Sequence, residues 1–176
     1  MNRRTLSLVG ALVAGAALLG AGVPSRAQKK DYLGELEADK IRDAETATER
    51  VKLYLSFAAD RLKKIQYELE RTTRDRLWDE RMYSLFNAYS GCVDDAADTL
   101  DAAIEKLEDI RPAIKDLESK TKEFQATLEK LGETHPELSK FKDSFDDAIE
   151  ATTDAAKTAE KASKAVPAAP VRRKPS

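Results

Sequence analysis

The chain has 176 residues, 30 of them basic and 32 acidic, 41% of them apolar, with one Cys, one His and one Trp. One cysteine cannot build a disulfide framework, and Cys92 with His135 cannot supply the four ligands of a structural zinc site. Charges of both signs are interspersed, which excludes a single basic face for nucleic acid, and the thin aromatic content of 6% suits a helical core of Leu, Ile and Ala.

Residues 1–27 read as a signal peptide. Arg3 and Arg4 give a positive start, Leu6 to Val23 is uncharged and mostly apolar, and Ser25 and Ala27 are the small residues a signal peptidase inspects, with cleavage expected after Ala27. The rival reading is an uncleaved anchor, because the apolar stretch nears the length that crosses a bilayer. Gly10, Gly15, Gly20 and Gly22, with Pro24 behind them, weaken a helix there and favour cleavage. Arg3 and Arg4 also partly match a twin-arginine signal, but Asn2 and Ser7 depart from it. The segment carries three basic residues and no acid, so its removal leaves 27 basic against 32 acidic, a net charge of −5. Such an acidic body repels phosphate backbones and anionic lipid surfaces. The expected partner is therefore an unknown protein or a second copy of the chain, with no nucleic acid, no stable membrane insertion after cleavage and no cofactor.

Beyond Ala27 the glycines are Gly34, Gly91 and Gly132, and only Pro112 and Pro136 precede residue 167, too few turn residues for a sheet protein. A short helical lead runs from Asp31 to Asp43. Thr46 and Glu49 have the form of a capping box, and Val51, Leu55, Ala58, Leu62, Ile65 and Leu69 follow in steps of three and four, one stripe of a helix. Glu70 to Arg76 has no apolar residue and predicts a turn, with Thr72 and Asp75 repeating the capping pattern. From Leu77 the stripe resumes through Trp78, Met82, Leu85, Phe86, Tyr89, Val93, Ala97, Leu100, Ile104 and Leu107, and after Pro112 through Ile114, Leu117, Thr121, Phe124, Leu128 and Leu131, with Gly132 as a stop. A last helix starts at Thr134 to Glu137 and carries Leu138, Phe141, Phe145, Ala148, Thr152, Ala155, Ala159 and Ala162. Residues 167–176 have the Pro-rich, basic composition of a disordered tail.

These elements predict an all-α fold: an elongated antiparallel helical bundle, coiled-coil-like in its heptads, with three long helices over residues 28–166. The central helix is kinked or split near Pro112, and Ser90 with Gly91 offers a rival point of reversal.

No motif specifies a reaction, and a non-enzymatic protein is expected. The most suggestive pattern is acidic: Asp94, Asp98, Asp101, Glu105 and Glu108 stand in steps of four and three beside the apolar stripe. Asp94, Asp98, Asp101 and Glu105 are the metal candidates, since a column of carboxylates can hold Ca²⁺. The competing reading is structural: an antiparallel last helix would bring Lys157 near Asp109, Lys161 near Glu105 and Lys164 near Asp101. Trp78 with Tyr83, Phe86 and Tyr89 suggests a ligand groove or, more simply, core. Cys92 reads as a buried apolar residue or an intermolecular disulfide, and His135 as an exposed turn residue.

The stretches Glu37 to Thr46, Leu55 to Lys64 and Asn87 to Asp98 resemble a group of exported all-helical proteins of acidobacterial-type bacteria. The resemblance implies export to the periplasm or the exterior and a helical fold, and implies no activity, cofactor or site. The function expected is protein–protein interaction or self-association in the bacterial envelope. The alternative is binding of a cation or small ligand at the acidic column or the aromatic cluster around Trp78.

Overall fold

A computed structural model describes residues 32–106 and 109–166. Residues 1–31, 107–108 and 167–176 lie outside the described residues, and with them the expected signal peptide and the expected disordered tail. Within them the chain is all-helical: α1 (Glu35–Asp43), α2 (Ala47–Glu70), α3 (Trp78–Glu105), α4 (Arg111–Thr134) and α5 (Lys142–Ala165), with a 3₁₀ turn at Pro136–Phe141 leading into α5.

The capping box forms as the spacing predicts. Thr46 Oγ1 accepts from Glu49 N at 3.1 Å, and the Glu49 carboxylate accepts from Thr46 N at 3.2 Å and from Glu45 N at 3.0 Å. The stripe Val51, Leu55, Ala58, Leu62, Ile65 and Leu69 is buried along its whole length. The reversal falls at residues 71–77 and not at Gly91, which is buried in the middle of α3. There Asp75 Oδ1 accepts from Leu77 N at 2.9 Å and both Asp75 oxygens receive Arg81, while the nearly buried Glu68 carboxylate receives Arg71 and Arg81. A charge that loses water must be paired, and this polar knot supplies the pairing at the α2–α3 corner.

The expected central rod is split near Pro112, one of the two forms expected, and its halves α3 and α4 are separate helices, so the long helices number four. The start of α4 at Arg111 puts Pro112 in its first turn, where the missing N–H removes no intrahelical bond. Gly132 does not stop α4, which runs on to Thr134 and is closed by His135 N donating to Leu131 O at 3.0 Å; the edge of the Phe145 ring instead lies over Gly132.

The helix directions also depart from a uniformly antiparallel bundle. α2 packs on α3 and α4, and α5 packs on α3 and α4, so α3 and α4 oppose each other diagonally although they are consecutive. Trp78 meets Phe141, Phe86 meets Phe145 and Tyr89 meets Thr152, so α3 and α5 rise together with a nearly constant offset. α4 and α5 form an antiparallel hairpin, since Phe145 reaches Gly132 while Tyr89 links Thr152 to Phe124.

Large side chains from α2, α3 and α4 fill the centre, and α5 contributes Ala148, Ala151, Ala155, Ala159 and Ala162, all buried. The one polar position in that alanine face is Thr152, whose hydroxyl bonds the buried Tyr89 hydroxyl at 2.7 Å and Ala148 O at 2.7 Å. Leu85, Ala97 and Ile104, expected in the α3 stripe, pack only partly buried at its margin. Replacing Thr46 by Ala is expected to lower unfolding free energy by about 1 kcal/mol through loss of the α2 cap. Ala155→Leu is expected to cost about 1–3 kcal/mol by overpacking a seam built for small residues. Urea unfolding followed by circular dichroism reads both.

Candidate functional site

Parallel alignment of α3 and α5 has a chemical result. Ser84, Asn87, Ser90, Gly91 and Asp94 of α3 face Asp147, Glu150, Ala151 and Asp154 of α5 across a half-open cavity of about 820 Å³, closed at one side by Tyr32. Residue 84 falls level with 147, 87 with 150 and 91 with 154, the offset already set by the aromatic contacts, so both walls present polar positions at the same heights. Four carboxylates line the space. Asp154 receives Lys157 at 2.8 Å within its own helix, whereas Asp147 and Glu150 have no ion-pair partner among the described residues. Ser90 Oγ is buried in this wall without a hydrogen-bond partner. A concave strip of negative charge with unsatisfied hydrogen-bonding capacity attracts cationic groups, and the low-dielectric helix walls strengthen the field between them.

The predicted acidic column is therefore divided. Asp94 lines the groove, Asp98 and Asp101 continue along α3 beyond it, and Glu105 is exposed at the α3 terminus. Among the described residues no group of three or more His, Cys, Asp or Glu side chains is placed to hold a metal ion. The expected pairs with the last helix do not form, because that helix runs alongside α3 and not against it. Lys157 pairs with Asp154, Lys164 with Glu160 at 2.5 Å, and Asp109 with Arg111 at 2.9 Å. Asp147, Glu150 and Asp154 were not singled out from sequence, although their steps of three and four repeat the spacing of Asp94, Asp98 and Asp101; reading that second stripe was the available signal.

The aromatic cluster is core. Trp78 is 4% exposed and donates from Nε1 to Glu68 O at 3.1 Å, and its ring meets Phe141 edge-on at 5.2 Å. The Arg74 guanidinium lies 4.1 Å from the Trp78 ring centroid and bonds Glu137 at 2.6 Å, roofing the cluster with a cation held in place by an acid. Only Tyr83 keeps substantial exposure, and its hydroxyl donates to Lys140 O at 3.2 Å. His135 caps α4, half-buried, with Nδ1 3.5 Å from Glu137.

Cys92 is fully buried. Burial pushes its thiol up to about 12, against the opposing pull of the Arg61 guanidinium, so it is neither a poised nucleophile nor placed on the surface for an intermolecular disulfide. Burial likewise pushes the Tyr54 phenol up to about 12, with the Asp95 carboxylate adding to the effect.

Scans of protein-family models, curated proteins and solved structures returned no match to this chain.

Cys92 and Tyr54, with the Tyr32 and Tyr89 phenols that burial also raises, fix an alkaline limit. In the unfolded chain a thiol and a phenol release protons near 9.0 and 10.0, whereas the folded protein holds Cys92 and Tyr54 both to about 12. Their contribution is complete below pH 9 and is lost as pH rises from 9 toward 12, by at most about 1.4 kcal/mol per pH unit for each group. Urea midpoints are expected to hold steady to pH 9 and fall beyond it, and Cys92→Ala should remove the fall between 9 and 10.

Proposed function

We propose that this protein is a non-enzymatic, exported helical bundle that acts through protein–protein interaction, its acidic α3–α5 groove receiving a Lys- or Arg-rich segment of a partner protein. The observation that carries this reading is the convergence of Asp94, Asp147, Glu150 and Asp154 from two parallel helices on one elongated cavity, with Asp147 and Glu150 without ion partners among the described residues. The cavity is half open and lined from Ser84 to Asp94 on α3 and from Asp147 to Asp154 on α5, which suits an extended peptide better than an enclosed small molecule. Charge complementarity of this kind steers encounter and selects the partner's sign.

The non-catalytic part of the reading is supported by the state of the two residues most able to do chemistry. The Cys92 thiol is buried and held protonated, and His135 sits at a helix end beside Glu137. Export rests on the composition of residues 1–27, with release after Ala27. Among the described residues no helix is long and apolar enough to cross a membrane.

A fluorescent deca-lysine peptide titrated into the full chain is expected to bind at low salt and weaken steeply as salt is raised through the range where the Debye length shrinks. Asp147→Asn with Glu150→Gln should reduce affinity at least about tenfold with an unchanged melting temperature. No binding by the parent chain, or equal binding by the double variant, would overturn the groove as the docking surface.

A further inference from the structure

The four long helices hold one another by buried apolar faces, whereas the segment from Tyr32 to Asp43 is attached differently. α1 has no buried residue: Leu36 is 77% exposed, and Leu33 and Ile41 are only partly covered. Two polar anchors hold it. At one, the Tyr32 ring lies flat against Gly91 in the middle of α3, and its hydroxyl faces Gly91 O at 3.0 Å and the Asp95 carboxylate. At the other, the Glu37 carboxylate takes both terminal nitrogens of Arg61, a guanidinium that is 8% exposed.

Gly91 shows that the first anchor has shaped the bundle. A Cβ at this position would stand 2.6 Å from Tyr32 Cε1, so any other residue displaces the ring. Glycine inside a helix is less favourable than alanine by about 1 kcal/mol, and the close approach of Tyr32 accounts for it here.

The bundle is also complete without the strap. The first turn of α2 is capped by its own Thr46 and Glu49, and the three residues Ala44 to Thr46 separate it from α1, with Ala44 and Thr46 extended. A helix of nine residues is too short to persist in water once its anchors part.

We propose that Tyr32 to Asp43 is a latch: it releases as a unit and melts while the α2–α5 bundle stays folded, uncovering Gly91, the Asp95 carboxylate and the Arg61 guanidinium. Because Tyr32 also closes one side of the acidic groove, release lengthens that groove by one carboxylate; this consequence rests on the docking reading above, whereas the release itself does not. The device is a local opening of the kind that hydrogen exchange resolves from global unfolding.

The test is amide hydrogen exchange on the full chain, parent and Gly91→Ala, with melting followed in parallel. In the parent, amides of residues 39–43 are expected to exchange far faster than the central amides of α2 and α3 and with no dependence on bundle stability. Gly91→Ala should speed the strap amides at least about tenfold, leave those of α2–α5 as slow as before, and hold or raise the melting temperature, since alanine favours the helix that glycine weakens. Strap amides that exchange only with the bundle, or that ignore the substitution, would overturn the latch, as would a melting temperature that drops with it. Glu37→Gln provides the same reading at the other anchor should the alanine variant not fold: faster strap exchange with an unmoved bundle supports the proposal, and a common shift of both refutes it.

Discussion

The start of α4 at Arg111, as a helix separate from α3, is the constraint on which the rest of the bundle depends. Proline has no amide proton, so a helix carrying Pro112 in its interior would lose a hydrogen bond and crowd a carbonyl one turn back. Beginning α4 at Arg111 removes both costs, and α4 takes the position diagonal to α3. That position leaves the place beside α3 to α5, which then runs in the same direction as α3. Two helices that run together place equal heights side by side, and so the acids of α3 and α5 line one groove.

Most polar groups inside the bundle are answered where they are buried, the exceptions among the described residues being Arg50 Nε, Asp116 Oδ2 and Ser90 Oγ. The Tyr89 hydroxyl, whose proton is held more tightly because of its burial, meets Thr152, which also bonds its own helix backbone. Trp78 gives its N–H to the last turn of α2, and Glu68 is held by two arginines. Thr121 is buried with its hydroxyl on Leu117 O at 2.8 Å. Against that background the unanswered Ser90 hydroxyl in the groove wall stands apart, because burial without a partner costs more than the bond itself contributes.

Local features were legible in the amino-acid sequence wherever a local cause decides them. The α2 stripe and its capping box, the turn after Glu70, the alanine face of α5 and the helix start that accommodates Pro136 all follow from spacing and from the chemistry of a few side chains. What could not be read was the mutual direction of α3 and α5. A short connection between two helices permits neighbours or diagonal partners, and the choice lies in the packing of side chains more than 60 positions apart, such as Tyr89 with Thr152. The lysine pairs with Glu105 and Asp109 expected across an antiparallel seam fail with that direction, and Lys164 pairs within its own helix with Glu160. Gly132 misled because a glycine near a helix end suggests a stop, whereas α4 runs two residues past it to Thr134. The seat of Tyr32 on Gly91 was equally hidden, since nothing in either neighbourhood announces a contact 59 positions away.

The alanine face of α5 bears on how the bundle answers a pulling force. Leucine and phenylalanine interlock across a seam and must be lifted past one another before two helices can shift along their axes, but methyl groups offer a shallow profile. Beyond Thr152 the buried positions of α5 are Ala155, Ala159 and Ala162 only. Axial position along that half is therefore set upstream, where Tyr89 grips Thr152 and Phe86 abuts Phe145. Tension applied at the end of α5 meets little mechanical resistance until it reaches those two pegs, so the last three turns act as a compliant lead and the pegs as the point where load enters the core.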